Sequence, residues 1–103
     1  MKIVIDCPSV VRREQSQESI ERLIRIAFTR YASFLRQVRL QAKKAESQEG
    51  NVCCSLRLQV SGSALPSIDV EEIQPDVELA LQRAMRRVDS ILKQYARRRV
   101  LAL

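Results

Sequence analysis

The sequence predicts an α+β domain in the order β-α-β-β-β-α, with two helices packed on one face of a four-stranded sheet. Two stretches carry apolar residues every three or four positions, as on the buried stripe of an amphipathic helix. Three others alternate apolar and polar residues, as strands with one wet face do. The helical stripes can then be buried against the apolar face of the sheet. With 103 residues, 46% of them apolar, the chain suits one domain over residues 1–103.

The first two elements are a short strand and a helix. Residues 2–7, KIVIDC, are rich in β-branched side chains and predict a strand that Pro8 and Ser9 end. A connecting loop, VVRREQSQ, follows, and Ser16 or a neighbour is placed to cap the helix. The predicted helix has about five turns. Its apolar stripe comprises Ile20, Leu23, Ile24, Ala27, Phe28, Tyr31 and Leu35.

The hydrophobic period then changes to two, which predicts strands. In the second strand Val38, Leu40 and Ala42 alternate with polar residues, and Gly50-Asn51 predicts a hairpin turn after it. The third strand has the clearest alternation. One face carries Cys54, Leu56, Leu58 and Val60, and the other carries Cys53, Ser55, Arg57 and Gln59.

The last two elements are a fourth strand and a long helix. Ile68 and Val70 alternate with acidic residues after the turn SGSALP. Pro75 and Asp76 are placed to open the second helix, because proline suits a first turn and an acid suits the helix dipole. The apolar stripe of this helix comprises Val77, Ala80, Leu81, Ala84, Val88, Ile91, Leu92 and Tyr95.

Charge is divided between the predicted elements. The net charge of +6 and the pI of about 9.8 favour an anionic partner such as nucleic acid or an acidic membrane surface. Residues 12–44 carry net +6 and residues 74–103 net +4, whereas residues 45–73 carry net −4 and residues 1–11 none. The helices and the second strand are therefore the positive side of the predicted domain.

The chain lacks residues that many enzymes and metal sites use. It has no histidine, no glycine-rich phosphate loop and no nucleophile elbow, which argues against an enzyme, a cofactor or a small-molecule substrate. Cys7, Cys53 and Cys54 lack CxxC spacing, so we expect free thiols and neither a disulfide nor a metal site. The first residues do not form a signal peptide, and no apolar run reaches the length of a membrane span. The predicted location is the cytoplasm, with no membrane partner.

The basic residues of the two helices form the candidate binding site. Seven of the nineteen residues in 81–99 are Arg or Lys, and only Asp89 is acidic. The basic residues of this stretch that lie off the apolar stripe make a ridge about 20 Å long. Arginine suits a phosphate, because its planar fork donates two parallel hydrogen bonds to the phosphate oxygens. The predicted RNA-binding residues are Arg22, Arg25, Arg30, Arg83, Arg86, Arg87, Lys93, Arg97 and Arg98, with Arg36 and Arg99 beside them. A solvated helix face is the plainer interpretation of the same pattern.

Recognition of bases by stacking is not expected. The chain has only four aromatic residues, and Phe28, Tyr31 and Tyr95 lie on or near the apolar stripes. Stacking requires aromatic rings that are exposed to the bases. The sequence therefore predicts contacts to phosphates and little discrimination between base sequences.

Three stretches resemble one known family. RYASFLRQVRLQ is similar to its basic-aromatic helix end running into the second strand, and CCSLRLQVSGSALPSIDV to its third and fourth strands. DVELALQRAMRRV is similar to its second helix, which starts with an acid. The family is that of the ribosome hibernation-promoting factors and ribosome-associated inhibitors, also called sigma-factor modulation proteins. The likeness covers nearly the whole chain through degenerate motifs, and the chain looks like a divergent short form.

The resemblance implies a fold similar to double-stranded-RNA-binding domains and binding to the rRNA of the small ribosomal subunit, in the channel used by mRNA and tRNA. It implies ribosome hibernation, the silencing of translation in stress or stationary phase. Arg87 stands where the family prefers Lys, whereas Ser90 and Gln94 stand where it tends to place further basic residues. Gln82 and Arg86 stand where acids are common in the family. The C-terminal dimerisation domain of long members has no counterpart, so the chain alone is not expected to join two ribosomes.

Two interpretations stay open. The first is a non-enzymatic rRNA-binding factor, which Arg87 and the basic tail favour. The second is a divergent protein-interaction or regulatory module that has lost the ribosome and binds itself, an acidic protein or another ribosome-associated protein. Ser90, Gln94 and the acidic strands favour this second interpretation. If the first holds, the acidic third and fourth strands are expected to face away from the RNA.

Overall fold

The computed structural model describes residues 1–8, 16–46, 49–63 and 65–101, of which 99–101 are described by their main chain alone. The strands are β1 (Lys2–Asp6), β2 (Leu35–Glu46), β3 (Val52–Gly62) and β4 (Leu65–Gln74). The helices are α1 (Gln17–Phe28), a 3-10 turn (Thr29–Tyr31) and α2 (Val77–Leu101). The predicted order β-α-β-β-β-α and the α+β class are confirmed.

The four strands form one mixed sheet in the order β1-β2-β3-β4. Strand β3 is antiparallel to both of its neighbours, β2 and β4, and β1 lies parallel to β2 at one edge of the sheet. A parallel pair needs a crossover connection, and α1 supplies it between β1 and β2. The β2–β3 hairpin that Gly50 predicts is present, and Gly50 has the positive φ of +80° that favours glycine. Residues 47–48 of this turn, the loop 9–15 and residue 64 lie outside the described part of the chain.

Both helices cover the same face of the sheet, because only that face is apolar. The predicted inward residues of the strands are buried: Val38, Leu40, Ala42, Cys54, Leu56, Leu58, Val60, Ile68 and Val70. They meet the buried stripes of the helices: Ile20, Ile24, Phe28, Val77, Ala80, Leu81, Ala84, Val88 and Leu92. Three predicted stripe positions, Ala27, Ile91 and Tyr95, are only half-buried, and a fourth, Leu23, is exposed.

Helix α1 begins where the sequence predicts and ends earlier. The Ser16 side chain caps it by accepting a hydrogen bond of 3.0 Å from the Ser19 N–H. The helix ends at Phe28, and Tyr31 lies in the 3-10 turn, so the prediction of a helix through Leu35 is wrong. Leu35 belongs to β2.

The spacing of apolar residues at three or four positions continues beyond the end of α1, because the chain that follows α1 stays in the core. The 3-10 turn keeps an i, i+3 rhythm, with hydrogen bonds from the Ala32 N–H to the Thr29 oxygen and from the Phe34 N–H to the Tyr31 oxygen. The rings of Tyr31 and Phe34 are both buried, with centroids 5.8 Å apart. Spacing alone therefore could not distinguish this turn from another turn of α-helix.

The start of α2 and the end of β3 are each set by one close contact. The Asp76 carboxylate accepts a 2.8 Å hydrogen bond from the Leu79 N–H and so caps α2. At Gly62 a Cβ atom would collide with the carbonyl oxygen of Phe34, which also accepts a 2.9 Å bond from the Ser63 N–H. Glycine is required there because two main chains approach each other closely.

Truncating a core leucine should destabilise the protein strongly. Leu56 on β3 and Leu81 on α2 are at most 1% exposed, so Leu56→Ala and Leu81→Ala should each lower the free energy of unfolding by about 2–5 kcal/mol. Leu23→Ala is the matched control, because Leu23 is 43% exposed although the sequence places it on the buried stripe. Urea unfolding of the three variants measures the difference. Equal losses in all three would contradict the assignment of the inward face.

Candidate nucleic-acid interface

The helix layer carries the positive charge of the protein. The two helices and the 3-10 turn contain ten Arg or Lys against four acids, whereas the four strands contain six against five. All nine residues that the sequence predicts as RNA-binding are exposed in this layer. They define what we call the basic helix surface: Arg22, Arg25, Arg30, Arg83, Arg86, Arg87, Lys93, Arg97 and Arg98.

The centre of the basic helix surface is a ridge on α2. Arg83, Arg86 and Arg97 lie within one face of the helix, because residues about one, three or four whole turns of 3.6 residues apart project in similar directions. They are exposed and form no ion pair within the described part of the chain. The ridge extends about 20 Å along the axis. It points away from the buried stripe, as the sequence predicts.

Arg87 is placed differently from the other ridge residues, because it contacts the edge strand. Its Nη1 donates a 2.8 Å hydrogen bond to the Glu71 carbonyl oxygen and lies 3.5 Å from the Glu72 carboxylate. Glu72 pairs with Leu56 in the sheet register and so lies on the side that carries the helices. The neighbouring acids Asp69 and Glu71 pair with Gln59 and Arg57 and so lie on the opposite face of the sheet. Arg87 joins α2 to β4, and its charge is partly neutralised there.

The arginines predicted for the first helix are distributed over three elements. Arg22 lies on α1 and forms no ion pair with a described residue, whereas Arg25 pairs with Glu21 one turn away at 2.9 Å. Arg30 lies in the 3-10 turn. Arg36 lies in β2, where its Nε donates to the Ser63 hydroxyl at 3.2 Å, so its prediction as a helix residue is wrong.

A four-residue cluster, which we call the Asp89 cluster, connects the 3-10 turn to α2. The Oδ1 atom of Asp89 accepts hydrogen bonds from Arg30 Nη2 at 2.6 Å and from Tyr31 Oη at 2.8 Å. Lys93 Nζ lies 3.2 Å from the other oxygen, Oδ2. The Arg30 guanidinium also lies over the Tyr31 ring, 5.0 Å from its centroid. Arg30 and Lys93, which are distant in sequence, are thereby held side by side.

The contacts of the Asp89 cluster shift the pKa values of Asp89 and Tyr31. Partial burial opposes ionisation of Asp89, but the hydrogen bonds from Tyr31, Arg30 and Lys93 outweigh it and hold the pKa below its usual range. Burial raises the pKa of Tyr31 to about 12, and the neighbouring Asp89 carboxylate contributes to the rise. At neutral pH the cluster therefore has two cations, one carboxylate and a neutral phenol.

The C-terminal part of the ridge includes Arg97 and Arg98, which are both exposed. Arg98 lies over the ring of the half-buried Tyr95, 5.9 Å from its centroid. Tyr31 is buried, so neither tyrosine offers an open ring to a base. The side chain of Arg99, which the sequence places with this group, lies outside the described residues.

The opposite face of the sheet carries charges of both signs. Asp6, Gln41, Arg57 and Glu71 stand in one row across the four strands. The Arg57 guanidinium is bonded to the Asp69 carboxylate and lies 3.9 Å from Glu71. A shallow depression of about 320 Å³ lies over this row. Because Arg57 is already paired with acids, this face suits a polyanion less well than the basic helix surface.

The thiols lie apart from the basic helix surface. Cys7 and Cys54 are buried, and Cys53 is half-buried with its Sγ 3.4 Å from the Ala45 oxygen. Burial raises the pKa of Cys54 to about 11, which keeps it a thiol. Among the described residues, no group of three or more His, Cys, Asp or Glu side chains is arranged to hold a metal ion. In the same part of the chain, no helix is long and apolar enough to cross a membrane.

The raised pKa of Tyr31 predicts a pH-dependent contribution to stability. The folded state favours the neutral phenol, so this contribution is complete below the unfolded-state pKa of about 10. It is lost as the pH rises through the folded-state value of about 12. The free energy of unfolding of the parent minus that of Tyr31→Phe should therefore shrink between these pH values in urea titrations. A constant difference would contradict the contact with Asp89, and Tyr95→Phe is the control.

The three cysteines should be free thiols of unequal reactivity. A thiol assay of the denatured, non-reduced protein should count three. In the native protein Cys53 should react first, because Cys7 and Cys54 are at most 4% exposed. Cys53→Ser should remove the fast phase and leave the slow ones. A count below three would contradict the prediction of no disulfide.

No protein-family model and no curated protein matches this sequence. The resemblance to the ribosome hibernation-promoting factors therefore stays a prediction from the motifs quoted above. The inference of function rests on the geometry and the charge of the basic helix surface.

Proposed function

We propose that this protein is a non-enzymatic RNA-binding factor that associates with the small ribosomal subunit and inhibits translation in stress or stationary phase. The observation that carries the proposal is the charge of the helix layer, ten cations against four acids, beside a nearly balanced sheet. An excess of this kind on one side of a small domain favours a polyanion. The ligand in this proposal is the phosphate backbone of structured RNA.

The side chains of the ridge suit phosphates better than bases. Arginine forks give charge-assisted, bidentate hydrogen bonds to phosphate oxygens. Arg83, Arg86 and Arg97 are free of ion pairs with described residues, so binding would not first require an internal contact to break. The ridge is about 20 Å long, which spans several successive phosphates of a nucleic-acid strand. Neither Tyr31 nor Tyr95 offers an open ring for stacking, which favours recognition of backbone shape.

The ribosomal target and the inhibitory effect depend on the family resemblance. Bound in the channel that mRNA and tRNA use, a domain of this size would exclude both ligands sterically, without any chemical step. That mode of action requires no catalytic group, no cofactor and no small-molecule substrate. It places the protein in the cytoplasm, where ribosomes are.

A protein-interaction module remains the second candidate, and one observation favours it. Leu23 and Ile26 on α1 are 43% and 69% exposed. Exposed apolar side chains beside a charge such as Arg22 suit a protein partner better than an RNA backbone. In this case the partner would be another ribosome-associated protein, an acidic protein or a second copy of the chain.

Neutralising the ridge should weaken binding to ribosomes. The combined variant Arg83→Gln, Arg86→Gln and Arg97→Gln should reduce co-sedimentation with the small subunit and flatten the dependence of log K on log salt. The slope should change by up to about one unit for each phosphate that the variant no longer binds. The fold should be retained, because these side chains lie off the buried stripe. Arg87 is left unchanged because it contacts β4.

The matched control removes the same charge from the other face. Lys2, Arg39 and Lys43 are exposed and lie on the open face by the strand register. Replacing these three with Gln should lower affinity only slightly at low salt and not at all at high salt. Equal binding by both triple variants and the parent at every salt concentration would contradict the proposal. If the parent does not co-sediment with ribosomes, and Leu23→Ser with Ile26→Ser abolishes self-association or binding to a protein partner, the protein-interaction candidate is favoured.

A further inference from the structure

The Asp89 cluster differs from the ridge on α2, because it joins cations from two separate elements. We infer that Arg30 and Lys93 form a phosphate-binding site between the 3-10 turn and α2, and that Asp89 is its positioning residue. The inference deepens the proposed RNA binding and rests on it. The sequence predicts Arg30 and Lys93 as separate basic residues, whereas the structure brings both onto one carboxylate.

The charged side chains of the Asp89 cluster differ in their exposure to solvent. The Asp89 side chain is 23% exposed, whereas those of Arg30 and Lys93 are 58% and 52% exposed. The carboxylate therefore lies beneath the two cations. An anion that approaches from solvent meets the cations before it meets the acid. An acid that merely competed with phosphate would be expected at the surface, as Glu21 is beside Arg25.

The hydrogen bonds leave donors available for a ligand. A guanidinium has five N–H donors and an ammonium three. Among the described residues, Arg30 uses Nη2 toward Asp89, and Lys93 uses one contact to the same carboxylate. The Asp89 carboxylate has a further hydrogen-bond donor, since Tyr31 donates to it from the buried side. The remaining donors of both cations can be directed at one phosphate group.

Arg30 is held in position on two sides. The ion pair with Asp89 fixes its Nη2, and the Tyr31 ring supports the plane of the guanidinium at 5.0 Å from the centroid. A free arginine side chain loses several rotamers when it binds, which costs affinity. Here Asp89 and Tyr31 order the side chain before the ligand arrives. Preorganisation is the effect by which a half-buried acid can strengthen the binding of an anion.

Two asparagine variants distinguish positioning from simple competition. Asp89→Asn and Asp69→Asn both remove one negative charge from an arginine-paired carboxylate, and Asp69 lies on the opposite face. The probe is a fluorescent RNA duplex of about 16 base pairs, the length that a double-stranded-RNA-binding domain spans. Affinity is measured by anisotropy over a range of salt concentrations, and the melting temperature of each variant is measured alongside.

The two asparagine variants are expected to differ in their affinity for the RNA duplex. Asp69→Asn should leave the affinity unchanged or raise it slightly, because it only makes the protein more positive. Asp89→Asn should lower the affinity at high salt by about fivefold or more, because two side chains must then be ordered on binding. Its salt slope should flatten by up to about one unit for each phosphate that is no longer bound. Tyr31→Phe, which keeps the ring beneath Arg30 and removes the donor to Asp89, should fall between the parent and Asp89→Asn.

Specific outcomes overturn the inference. If Asp89→Asn binds as well as Asp69→Asn at high salt, the acid only competes with phosphate. A lower melting temperature with unchanged affinity and slope assigns Asp89 a purely structural role. If the parent protein does not bind the duplex or the small subunit at any salt concentration, the proposed function itself fails and the inference fails with it.

Discussion

The structure depends on the fact that only one face of the sheet is apolar. The apolar residues of strands β2, β3 and β4 alternate with polar ones over Val38–Ala42, Cys54–Val60 and Ile68–Val70, so these apolar side chains lie on the same side of the sheet. Two amphipathic helices must bury their apolar stripes, and they cannot do so against the polar face of the sheet. Both are therefore confined to one layer. Their outward faces, where the cations are concentrated, consequently form one surface.

The elements of the fold follow from local patterns that the sequence displays directly. Strand alternation predicts the inward residues of β3 and β4, and the side-chain chemistry of Ser16 and Asp76 predicts where the helices begin. The end of α1 could not be predicted in the same way. Tyr31 continues an i, i+3 spacing that an α-helix and a 3-10 turn share. The hydrogen bonds of the turn, which join residues three apart, distinguish the two, and the sequence does not display them.

The candidate site is predicted in its residues and not in its contacts. Exposure of the arginines on α2 follows from helix geometry, whereas the partners of Arg30 and Arg87 depend on tertiary structure. Asp89 lies 59 residues from Arg30 and 58 from Tyr31. The sequence marks Asp89 only as the single acid in a basic stretch. The contact with Lys93, four residues along α2, follows from helix geometry. The contacts with Arg30 and Tyr31 depend on how the 3-10 turn and α2 are placed on the sheet, which helix periodicity does not determine.

The position of β1 has a consequence for the order in which the chain folds. The strands β2, β3 and β4 and the helix α2 are joined by short connections, so their contacts form between segments that are close in sequence. By contrast, β1 pairs with β2 across the whole of α1, with partners such as Ile3 and Val38. Closing such a loop costs chain entropy before any contact compensates for it. Of the four strands, β1 is synthesised first, yet it completes the sheet only after its partner strand exists. The first of the four strands to be synthesised therefore stays unpaired for the longest part of synthesis.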